Sequence, residues 1–123
     1  MLPASHDRAY QDFMTLLTRF RTIAVVEPEK IVLTQIPQEF QSMQNWFEQN
    51  IAQLGDRHIN PELLSRWQAV QTEIKREFKL LSTDILFLAT SRQQTTRQKR
   101  LKSIEERLTK LIGYCQVMLQ DNN

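Results

Sequence analysis

The chain has 123 residues, of which 41% are hydrophobic and 24% charged, and its formal net charge is +2. That is ordinary globular usage and enough chain for one modest core, so residues 1–123 are read as a single helical domain. So small a charge excess excludes any argument for a polyanion partner from net charge alone; only the position of the charges can carry one.

Two glycines and four prolines are too few for a sheet protein with many tight turns, and they predict long helices joined by few connections. The start, MLPASHDRAYQDF, lacks an apolar signal core, and no segment approaches the roughly eighteen apolar residues of a membrane span. A cytoplasmic protein without membrane insertion is expected. The single Cys115 has no partner for an internal disulfide, which fits a reducing compartment.

A first helix is predicted over about residues 5–25, with Ser5 as N-cap and Asp7 suiting the dipole of the first turn. Tyr10, Phe13, Leu17, Phe20 and Ala24 recur at spacings of three and four and form one apolar stripe. Glu27-Pro28 ends it, because a residue before proline leaves the α region. The run Ile31-Val32-Leu33 reads as a short helical turn or an irregular connection, since a lone hairpin with Ile23 to Val26 would be marginal.

Pro37 fits the first turn of a second helix whose stripe is Ile36, Phe40, Met43, Phe47, Ile51 and Leu54, with Gly55 as its stop. Asn60-Pro61-Glu62 is the clearest start signal in the chain: Asn caps, Pro takes the first helical position and Glu follows. The third helix then carries Leu63, Trp67, Val70, Ile74, Phe78, Leu81, Ile85 and Leu88, with Leu64, Leu80, Leu86 and Phe87 as a second face expected to touch further neighbours. After Ala89 the apolar pattern stops until Leu101, and a turn is placed near Thr95. The fourth helix shows Leu101, Ile104, Leu108, Leu111, Cys115 and Met118. The fold expected is all-α: an antiparallel four-helix bundle with a long C-terminal helical hairpin.

Few residues suggest chemistry. The only glycines, Gly55 and Gly113, make no phosphate loop. His6 and His58 have no cluster of ligands around them and read as surface histidines, so neither a metal nor a cofactor is expected. Cys115 is in phase with Leu108 and Leu111 and belongs in the core, where a thiol is inert. Met14, Met43 and Met118 read as packing. Without a nucleophile, base or small-molecule site, an enzyme is not expected.

Asp84 projects from an apolar surface between Leu80, Leu81, Phe87 and Leu88. It is either a rim aspartate or a structural carboxylate bound by Arg107 or Arg100 across the hairpin. Trp46 points away from the Phe47 stripe and either covers a seam or anchors a partner.

The stretch SRQQTTRQKRLK holds Arg92, Arg97, Lys99, Arg100 and Lys102 and no acid. It is the solvated tip of a hairpin, but solubility does not require all five charges to be positive, and an acidic protein surface is the partner they suit. The tip has no interleaved aromatics for base stacking, which speaks against nucleic acid. Reversing Arg97, Lys99 and Arg100 is expected to leave the fold intact.

Leu81, Asp84, Phe87, Leu88, Ala89, Arg92, Thr95, Leu101, Ile104, Arg107, Leu108, Leu111, Ile112, Tyr114 and Cys115 lie within QTEIKREFKLLSTDILFLATSRQQTTRQKRLKSIEERLTKLIGYCQVML. With Tyr10, Gln11 and Phe13 at the start, they form a pattern over nearly the whole chain that resembles the PatD family of cyanobacteria, the heterocyst frequency control proteins. The resemblance implies a small cytoplasmic regulator that limits how many cells of a filament differentiate, associated with the division protein FtsZ by direct interaction. It assigns no binding residue. The rival reading is a nucleic-acid-binding regulator that uses the basic tip.

Overall fold

The computed structural model describes residues 2–26 and 35–120. Four helices account for most of them: α1 (Ala4–Arg21), α2 (Gln35–Asn50), α3 (Pro61–Thr90) and α4 (Gln94–Gln120), with no strand among the described residues. The all-α bundle is therefore as expected. The run from Ile31 to Leu33 and the Glu27-Pro28 boundary lie outside the described residues.

The helix ends show how local chemistry and tertiary contacts divide the work. Asn60 caps α3 as its sequence predicts, its Oδ1 accepting from the Glu62 N–H at 3.0 Å, with Pro61 in the first turn. α1 instead starts at Ala4 behind Pro3, without a side-chain cap, so Ser5 is inside the helix. Its last α-helical residue is Arg21, and Thr22–Val26 widens into a π turn.

The α2 stop at Gly55 is corrected. The helix ends at Asn50, where the N–H groups of Ile51 and Ala52 both close on the Phe47 carbonyl, at 2.9 and 3.0 Å. Left-handed backbone in the following loop falls on His58, with φ 66°, rather than on Gly55. The hairpin turn is also earlier than Thr95. Ser91 ends α3, its N–H bonding the Leu88 carbonyl and its Oγ donating to the Phe87 carbonyl at 2.6 Å, and α4 is under way from Gln94.

The chain runs up, down, up and down. α3 and α4 pack most extensively, followed by α1 and α4, and α2 stands further off behind a layer of aromatic rings. Five of the six phenylalanines form that layer. The Phe78 ring lies parallel on Phe47 at 4.0 Å and also stacks on Phe40 at 5.3 Å, with Phe13 and Phe20 completing the set. Such pairs add about 0.5–1.5 kcal/mol each beyond their buried area. The predicted core residues Trp67, Phe78, Ile85, Ile104, Leu108 and Leu111 are all buried in one cluster. The sixth phenylalanine, Phe87, is outside it.

Candidate protein-binding surface on the helical hairpin

α3 and α4 are joined by a ladder of ionised side chains along one flank of their seam. Asp84 projects from the apolar stripe of α3, and its carboxylate accepts from Arg107 Nε at 2.7 Å, Ser103 Oγ at 2.7 Å and Arg100 Nη1 at 3.4 Å. Sequence reasoning had offered Arg107 or Arg100; both are present. One turn pair earlier on the same face, Glu77 accepts from Arg107 Nη1 at 3.1 Å, with Arg76 and Lys110 each at 3.8 Å. Arg107 therefore bridges two buried carboxylates. Burial pulls its pKa down, but the hydrogen bonds it donates to Asp84 and Glu77, with the negative charge of both, outweigh that and raise it. Glu77 was not singled out in the sequence. The available signal was its spacing, seven residues before Asp84 and so nearly in phase with it on a helix.

This ladder sorts charge. Between Lys75 and Lys102 the sequence holds eight basic residues and two acids, Glu77 and Asp84. Both acids are buried, at 2% and 4% exposure. Within that stretch of sequence all the solvent-facing charge is positive; alongside it on α4, Glu106 is exposed and Glu105 pairs with Arg21.

The five tip cations do not form one class. Arg97 folds back over the turn, its Nη2 donating to the Arg92 carbonyl at 2.7 Å. Arg100 is tied to Asp84, and its guanidinium lies 4.6 Å from the Phe87 ring centre. Arg92, Lys99 and Lys102 are exposed and form no ion pair among the described residues. The expectation that reversing Arg97, Lys99 and Arg100 would spare the fold is therefore corrected: Arg97 braces the turn, and a glutamate at 100 would face the buried Asp84 carboxylate. The clean substitutions are at Arg92, Lys99 and Lys102.

The second apolar face of α3 is corrected as well. Leu64 and Leu80 pack partly against the core, but Leu86 and Phe87 are 61% and 44% exposed. α2 runs antiparallel to α3 and its first turn, with Ile36, lies one turn beyond Phe40, the partner of Phe78. Leu86 is two turns beyond Phe78 and about 80° round the helix from it, and Phe87 is on the side of α3 opposite Phe78, so neither points at α2.

Trp46 is not part of this surface. Its ring stacks on Phe13 at 6.0 Å and borders a groove of about 380 Å³ between α1 and α2, lined also by Leu16, Phe20, Ile23 and Met43. It covers a seam at mid-bundle, and the structure does not bring it together with the tip cations.

At the opposite end of the bundle a neutral polar chain is buried. Trp67 Nε1 donates to Tyr10 Oη at 2.8 Å, Tyr10 donates to Gln71 Oε1 at 2.7 Å, and Gln71 Nε2 donates to the Ile51 carbonyl at 2.8 Å. Every group is satisfied in sequence, and burial pushes the Tyr10 pKa up. Next to it His6 is buried rather than on the surface: its Nε2–H donates to the Gly55 carbonyl at 2.8 Å, and its ring meets Trp67 edge-on at 5.7 Å. His58 is exposed. Cys115 is fully buried and burial pushes its thiol up to about 12, so it is not a nucleophile in the folded chain.

Among the described residues no group of three or more His, Cys, Asp or Glu side chains is placed to hold a metal ion. No described helix is long and apolar enough to cross a membrane. The fold and its charged seam define an all-α bundle with a cationic hairpin. No family model, curated protein or solved structure matches the chain.

Proposed function

We propose that this protein is a non-enzymatic cytoplasmic regulator that works by docking its cationic α3–α4 hairpin onto an acidic protein surface. The observation that carries the reading is the burial of Glu77 and Asp84, which leaves only positive charge facing solvent from Lys75 to Lys102. A mixed surface would be equally soluble and would repel itself less, so the bias suits recognition. The resemblance to the PatD family supplies the setting: restraint of heterocyst frequency in a cyanobacterial filament, with FtsZ as the partner.

The test compares FtsZ binding by the wild-type chain and by a variant carrying Arg92→Glu, Lys99→Glu and Lys102→Glu. Circular dichroism is expected to be unchanged, because the three side chains are solvated. Association of the wild type is expected to slow as salt rises, and that of the variant to be slow throughout. Absence of FtsZ binding by the wild type at low salt would overturn the choice of partner. The same unpaired cations also favour a second reading, binding to the phosphate backbone of nucleic acid. Tight binding to generic duplex DNA, lost steeply with salt, would favour it instead.

A further inference from the structure

Leu86 and Phe87 are the exposed large hydrophobics among the described residues. One exposed leucine on a protein surface means little. These two are adjacent near the end of α3, their side chains leaving the helix about 100° apart, and fall inside the stretch whose solvent-facing charge is entirely positive.

Arg100 ties the apolar and cationic features together. Its Nη1 is held by the buried Asp84 at 3.4 Å, and its guanidinium covers the Phe87 ring at 4.6 Å. The side chain is still 38% exposed, and its other nitrogens have no partner among the described residues. Arg100 is thus a pre-positioned cation beside an aromatic edge, with donors left over for a carboxylate. A fork held in place in this way loses less freedom on binding than a free lysine does.

The geometry points to Leu86, Phe87 and Arg100 as the anchor of a docking site for an acidic amphipathic protein segment, one that sets apolar side chains on Leu86 and Phe87 and a carboxylate on Arg100. This rests on the reading of the hairpin as a protein-docking surface. It differs in placing the affinity in two apolar side chains and one fixed arginine, with Arg92, Lys99 and Lys102 as the rim that attracts the partner.

Other occupants fit less well. A second copy of the chain would set cation against cation. A membrane would find two apolar side chains, Leu86 and Phe87, beside the polar run Ser91, Gln93, Gln94, Thr95 and Thr96, and no continuous apolar face to insert. A single-stranded nucleic acid would find one face of Phe87 taken by Arg100 and no second exposed aromatic among the described residues for the next base.

The probe is a fluorescein-labelled synthetic helical peptide with leucines on one face and glutamates on the other, followed by anisotropy. Its charge-reversed twin with lysines, and phosphatidylglycerol–phosphatidylcholine vesicles, are run alongside. The wild type is expected to bind the acidic peptide and neither comparator. Leu86→Gln with Phe87→Gln is expected to weaken binding at least about tenfold at every salt concentration, through faster release. Leu86→Gln alone, at the more exposed position, guards against loss of fold and is expected to give part of that loss. No binding of the acidic peptide at low salt, equal affinity of the wild type and the double variant, a preference for vesicles, or sedimentation as a dimer lost in the double variant would each overturn the inference. FtsZ separates the two claims. A wild type that binds the peptide but not FtsZ removes only the FtsZ reading. A double variant that binds FtsZ as well as the wild type does removes only the Leu86–Phe87 anchor.

Discussion

The two ends of the bundle bury polar groups in opposite ways. At the Tyr10 end the groups are neutral, and the chain from Trp67 through Tyr10 and Gln71 to the Ile51 carbonyl ties α1 and α3 to the end of α2. On the hairpin the groups are ionised, and Arg107 holds Asp84 and Glu77 within one helix pair. A neutral chain with every donor matched specifies how helices meet and leaves the surface charge unchanged. An ionic ladder that buries its acids also alters what solvent and partners see. The difference teaches that only the hairpin uses its internal polar groups to shape an exterior.

The largest expected effect lies between the ends. Phe78→Ala removes the ring that Phe13, Phe40 and Phe47 share and should cost about 3–5 kcal/mol in a urea melt. A loss below about 1 kcal/mol would show that α2 is not held by this layer. Next comes Arg107→Ala, which leaves Glu77 and Asp84 buried with weaker partners and should cost about 3 kcal/mol. Replacing Glu77, Asp84 and Arg107 together with apolar residues of similar size should recover most of that loss. The recovered protein should fold and still attract acidic partners through Arg92, Lys99 and Lys102, yet release them faster, because Arg100 would no longer be held by Asp84. Recovery of stability with binding intact would break the contrast between the two ends.

Tyr10→Phe should cost about 1–3 kcal/mol, since it orphans the Trp67 N–H and one Gln71 oxygen without changing the surface. It should also flatten the alkaline limb of stability. Burial raises the folded-state pKa of Tyr10, so the folded chain keeps its proton where the unfolded chain loses it. The stabilisation is therefore full below the unfolded value of about 10 and declines as pH rises above it. Partner binding should be unaffected, and a change there would blur the division between the ends. The smallest effect is expected from Lys99→Glu with Lys102→Glu, within about 0.5 kcal/mol of the wild type in the same melt.

Much of the frame was legible because it is written locally. Asn60-Pro61-Glu62 carries its own start signal, the α3 and α4 stripes keep their phase, and Asp84 stood out as a carboxylate in an apolar surround. What escaped depends on contacts distant in sequence. The stop of α2 is decided by the Phe47 carbonyl, and the loop after it is pinned by His6 from 49 residues away. Phe87 lies nine residues from Phe78 and so on the opposite side of α3 from the α2 contact, a phase the sequence does contain; what it does not contain is that no other element covers that side. The division of labour among the five tip cations depends on which of them meets Asp84 and the Arg92 carbonyl across the turn.

The central claim is that the hairpin docks an acidic partner through its outward-facing cations. It is tested most directly by stopped-flow association of FtsZ with the wild-type chain and with the Arg92→Glu, Lys99→Glu, Lys102→Glu variant, across a salt series. The account predicts a wild-type rate that falls as salt rises, a variant rate well below it at low salt, and convergence of the two at high salt. Equal rates for the two proteins at low salt would contradict it.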